Sequence, residues 1–235
     1  MKRKSSLYLS FLQRKSFIND IEEMRDIFHE KLYASVDCDF ESELTEYERK
    51  LHEEYISTAQ TDSDRAMGDV EFDLSEIESK LAKRYFLLKT TQYRMIAMWI
   101  CCLCEVWEQQ LQIILKLEYE NGDLLIKSIP DKWAEVKKIY FEHTINFEEF
   151  PDWKTLDEMR LLVNVIKHGE GFSEEKLRQK RPELFMVNDY DGFSIYHSAL
   201  ITQTLNLNKA DIDKFSDCII EFWKHYPTDK YCCKD

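Results

Sequence analysis

From Ser75 to Glu120 the chain runs without a single Gly or Pro. Those two residues interrupt helices most strongly, so their absence over so long a stretch favours one continuous helix. Ser75 and Glu78 have the spacing of a capping box at its start. Its middle, Met95 to Cys104, is apolar on nearly all sides, which makes it the element against which others pack. That run is ten residues long, where a bilayer span needs about 20, so it reads as a buried core helix. No membrane partner is expected. Trp99, Trp107 and Leu111 are candidate core residues, with Glu105 and Glu108 as polar exceptions.

The rest of the chain repeats the pattern, since 235 residues contain only five Gly and four Pro. The expected fold is all-α, a helical bundle built around the long central helix. Residues 7–35 and 41–58 read as two helices separated at Val36–Asp39, where aspartate turn chemistry breaks the first. The polar stretch 58–73 lacks apolar periodicity. These features predict an acidic N-terminal helical hairpin arm at 1–60, a linker at 61–74 and a helical domain at 75–235. Further helices are expected from Pro130 to about His143, from Pro151 to Gly169, after a Ser173 cap, and from Asn208 to about Tyr226. The last would bury Ile212, Phe215, Ile219, Phe222 and Trp223. Asp191-Gly192 suggests a small hairpin within 186–207.

The formal net charge of −13 argues against general nucleic-acid binding, which needs a basic surface. The acidity is concentrated. Residues 20–54 hold thirteen Asp or Glu against four Lys or Arg. The opening MKRKSSLYLSFLQRKS is basic, but Gln13, Arg14 and Lys15 interrupt its apolar part before signal-peptide length, so export is not expected. Seven cysteines without an export signal read as reduced thiols of a cytoplasmic protein. Cys101 and Cys104 share a helix face, yet no partner Cys-x-x-Cys or His-rich element accompanies them. Neither a metal nor another cofactor is expected.

The candidate site lies on the helix that ends at Gly169. On a helical wheel Leu156, Met159, Leu162, Val163 and Ile166 form a core-facing arc. Arg160, Asn164, Lys167 and His168 fall together on another, at spacings that bring side chains within reach. Leu161 and Val165 lie beyond this polar stripe, which implies a covering surface such as a second copy of the chain. Such a cluster fits metal-free phosphodiester cleavage. A histidine near neutrality exchanges the proton, the two cations stabilise charge on the phosphate, and the asparagine amide orients. The plainer reading is that Lys167 and His168 are cations at a helix C-terminus, favoured there by its dipole.

The string EMRLLVNVIKHGEG, preceded by a long helix carrying Trp107-Glu108, resembles members of the HEPN superfamily over roughly residues 75–226. That family comprises all-helical proteins often found as ribonucleases in toxin–antitoxin and phage-defence systems. Its signature is Arg, four to six residues, then His, frequently with Asn directly after the Arg. Asn164-x-x-x-His168 matches the second half, whereas Val163 stands where the Arg would be and Arg160 lies one turn earlier. The resemblance implies a homodimer whose two motifs meet in a composite site. Either Arg160 reaches that site from one turn back, or the chain is a non-catalytic relative.

Directly downstream, Lys176, Arg178, Lys180 and Arg181 form a basic helix, either a solvated face or a local RNA-binding track. Two functions therefore compete on sequence grounds. One is a metal-independent endoribonuclease acting on RNA through Arg160, Asn164, Lys167 and His168. The other is a non-catalytic dimerisation or protein-interaction module, with an antitoxin or another protein as a further partner. The acidic arm is a candidate inhibitor segment or an ordinary solvated hairpin.

Overall fold

A computed structural model describes residues 7–37, 39–59, 67–120, 128–185 and 204–228. Among them helix predominates and no strand forms, so the all-α expectation holds. The helices are α1 (Phe11–Ile27), α2 (Phe40–Ala59), α3 (Met67–Glu120), α4 (Trp133–Glu142), α5 (Trp153–His168), α6 (Phe172–Lys180) and α7 (Lys209–His225). At 54 residues α3 is the longest element among the described residues, in keeping with the run from Ser75 to Glu120 without Gly or Pro. It begins before Ser75, so the expected capping box lies inside the helix, and residues 67–74 of the expected linker are helical. The rest of that linker, 61–66, and the suggested hairpin at Asp191-Gly192 lie outside the described residues.

The chain divides into two compact units, Met1–Phe28 with Ile96–Asp235, and His29–Met95. Helix α1 thus groups with the C-terminal helices and not with α2. Phe17 of α1 packs on Trp223 of α7 with ring centroids 4.9 Å apart, and Ile21 and Phe28 are fully buried. Gln110 of α3 is buried between them. Its amide donates to the Phe17 carbonyl at 3.2 Å and accepts from the Trp223 indole N–H at 2.7 Å. Buried polar groups need such partners, so this side chain fixes α1, α3 and α7 together.

The remainder of this unit is built around aromatic side chains. Trp107 of α3 lies against Trp133, Trp153 and Phe222, while the Tyr140 hydroxyl donates to the Leu111 carbonyl at 2.7 Å. On α7, all five residues expected in the core are buried. Asn208 caps that helix in a capping box with Asp211. Ser173, by contrast, lies inside α6, whose N-cap is Gly171.

The second unit is a helical hairpin made by α2 and the first part of α3. Leu51 and Ile77 are buried in it, Phe40 meets Tyr85 edge-on at 5.9 Å, and Arg84 pairs with Glu43 at 2.5 Å. A π-turn at Phe28–Leu32 and a 3-10 turn at Tyr33–Ser35 precede α2. The Gln92 amide donates to the Val36 carbonyl at 2.6 Å and so holds that turn against α3.

Candidate functional site

Helix α5 starts after Asp152, which adopts a left-handed conformation at φ 56°. It stops at Gly169, whose φ of 75° is one that a residue without Cβ accepts readily. Its core arc is as the wheel predicts: Leu156, Met159, Leu162, Val163 and Ile166 are all buried. Val165 is buried as well, at 0% exposure. It was expected on an outer apolar shoulder, and it no longer argues for a covering partner. The bundle covers α5 over a wider arc than the wheel assumed, leaving Leu161 half-buried.

The four polar residues share one side of α5 but divide into two kinds. Arg160 donates from Nε to Glu108 Oε1 at 2.5 Å, and its guanidinium lies 4.0 Å from the centre of the Trp133 ring. With 17% of its side chain exposed, it is packed between α3 and α4. Lys167 pairs with Glu105, one turn from Glu108 on α3. Its pKa is raised, chiefly because the Glu105 carboxylate accepts its hydrogen bond. Both cations are therefore matched by carboxylates, and sequence reading missed that role for Glu105 and Glu108. The i, i+3 spacing of those two acids was the available signal.

Asn164 and His168 differ from the cations. Asn164 is half-buried and His168 exposed; neither side chain has a hydrogen bond or ion pair among the described residues. The structure thus places the matched part of the motif at the accessible end of α5. On α3, burial pushes the Cys101 thiol up to about 11 and raises Cys104 further, although Lys167 opposes both shifts. These thiols are protonated at neutral pH and poor nucleophiles. No cluster of potential metal ligands occurs among the described residues.

The basic helix is largely neutralised where it stands. Lys180 pairs with Asp157 at 2.8 Å, Arg178 with Glu174 at 2.6 Å, and Arg181 with Glu158 and Glu183. Lys214 of α7 also reaches Glu158, at 2.8 Å. These links tie α5, α6 and α7 into an ion-pair network. Among the described residues, Lys176 alone of the four has no carboxylate partner, its ammonium lying 4.2 Å from the centre of the exposed Phe172 ring.

Beside α5, the outward side of α3 carries Met98, Cys102, Glu105, Gln109 and Ile113 at alternating helical spacings, all exposed. Glu105 is the one charge among them, and it is bound to Lys167. No family model, curated protein or solved structure matches this chain.

Proposed function

We propose that this chain is a non-catalytic helical interaction module that pairs with a second copy of itself through the face shared by α3 and α5. The stripe from Met98 to Ile113 carries the reading. Met98 is 55% exposed and Ile113 45%, on a face almost devoid of free charge in a chain of which 33% is charged. Surfaces with few charges and protruding apolar side chains suit association better than solvation. The HEPN resemblance agrees, since its members usually dimerise with their motif helices facing. Pairing of Arg160 and Lys167 with carboxylates, and a buried Val163 where the family's Arg would stand, weigh against catalysis. Sedimentation velocity tests the proposal. Wild type should be a dimer, and Met98→Glu with Ile113→Glu should give folded monomer; a wild type that is monomeric at micromolar concentration would overturn it.

The uncommitted Asn164 and His168 favour a second reading, a metal-independent endoribonuclease. There His168 would exchange the proton and Asn164 would orient a phosphate oxygen. Lys167 would leave the exposed Glu105 for the phosphate, Lys176 would offer a further cation, and Arg160 would hold α5 in place. Incubation of the protein with mixed RNA in excess EDTA separates the readings. Cleavage that falls on the order of 10²–10⁴-fold in His168→Ala establishes the nuclease. Absence of His168-dependent cleavage leaves the interaction module.

A further inference from the structure

A separate surface of the first unit combines cations with exposed apolar side chains. At the start of α1, Phe11, Arg14, Lys15 and Ile18, with Lys224 of α7, line a shallow groove. Leu12, on the adjoining side of the same turn, is 74% exposed, and Phe11 is 54% exposed. The segment before them is firmly anchored, because Leu7 and Leu9 are buried and the Leu9 amide donates to the Pro227 carbonyl at 3.1 Å. The apolar side chains are therefore presented on a fixed support.

Helix stability does not account for the cations. The first turn of α1 contains no acidic residue, although the helix dipole favours acids there and opposes cations. The sequence has five Lys or Arg and no acid before Asp20, in a chain of net charge −13. Arg14 donates to the Lys224 carbonyl at 3.2 Å, and Lys224 is paired with Glu221 at 2.8 Å. Lys15 is exposed and has no carboxylate partner among the described residues. Along α1 itself, the next acid in line with Lys15 is Glu22, seven residues further on, about 10 Å along the helix axis. The first turns of α1 therefore carry Arg14 and Lys15 without an acid of their own.

We propose that this tip of α1 docks on the anionic surface of a phospholipid bilayer. Phe11 and Leu12 enter the boundary between headgroups and acyl chains, while Lys15 and Arg14 meet the headgroup phosphates and carboxylates. This contact needs no spanning helix, and the described residues contain none. A nucleic-acid backbone also attracts cations, but it offers no apolar layer to an exposed Phe11 and Leu12. The bilayer satisfies both halves of the patch.

Vesicle flotation of the full chain tests the contact. Wild type should float with vesicles of phosphatidylcholine containing phosphatidylserine, and much less with phosphatidylcholine alone. Leu12→Ser and Lys15→Glu each replace an exposed side chain, so their thermal melts should match wild type. Each should weaken partitioning roughly fivefold to tenfold, and added salt should weaken wild type further. Three results would overturn the proposal: equal partitioning onto both vesicle types, variants that float like wild type, or Lys15-dependent binding of single-stranded RNA that is tighter than vesicle binding.

Discussion

Arg160 is held by Glu108 across the seam between α5 and α3, at 2.5 Å from Nε to Oε1. The side chain singled out as a charge stabiliser for phosphate already has its charge matched, and Trp133 covers one face of its guanidinium. Removing either partner should act first on stability. We expect Arg160→Ala and Glu108→Ala each to cost about 1–3 kcal/mol in urea unfolding, because each strands a partly buried charge. Wild-type stability in both variants would show that the pair is dispensable.

Gln110 satisfies two buried groups from distant parts of the chain. Gln110→Leu retains much of the volume and leaves the Trp223 indole N–H without its partner, while the Phe17 carbonyl keeps its place in the α1 hydrogen-bond ladder. A loss of about 1–3 kcal/mol is expected, the cost of one stranded buried donor. Chemical denaturation followed by tryptophan fluorescence measures it.

Lys167 gives a prediction about pH. Its folded pKa is raised above the usual 10.5 by the hydrogen bond to Glu105. In this window the folded state holds the proton more tightly than the unfolded chain does. The pair's contribution is therefore complete at neutral pH below 10.5, and it is lost as pH rises through the folded value. Partial exposure keeps it to about 0–1 kcal/mol. Wild type and Glu105→Gln should differ in melting temperature near pH 8 in low salt, and this difference should shrink towards pH 12.

Truncation tests where the chain divides. Deletion of residues 1–60 removes α1 from its packing against α7 and exposes Trp223, so the product should lose its cooperative melt. A soluble remainder with an unchanged melt would restore the N-terminal arm as a separate appendage.

Helical periodicity made the all-α class and the inward face of α7 legible, because both follow from local spacing. Val165 was misplaced for a reason the wheel cannot contain. A wheel gives angles about one helix axis, whereas burial depends on how many neighbours surround that helix. The same limit hid the partners of Arg160 and Lys167, since Glu108 and Glu105 stand 52 and 62 positions away. Asn164 and His168 were readable as a pair because they share one helix. The packing of α1 was not legible at all, because its partners on α7 stand more than 190 positions downstream.

The Tyr226 hydroxyl donates to the Leu7 carbonyl at 2.9 Å, joining positions 219 residues apart. This closure has a consequence for timing. During synthesis α1 emerges early and must wait, its Phe17 and Ile21 uncovered, until α7 has left the ribosome. Long-range closure of this kind slows folding and lengthens the interval in which apolar surface can meet other chains. The hairpin His29–Met95 has no such wait, since its contacts come from a short stretch of sequence. Pulse-labelling hydrogen exchange should therefore find α2 protected before α1, and the newborn chain should depend on a holding chaperone until its last helix arrives.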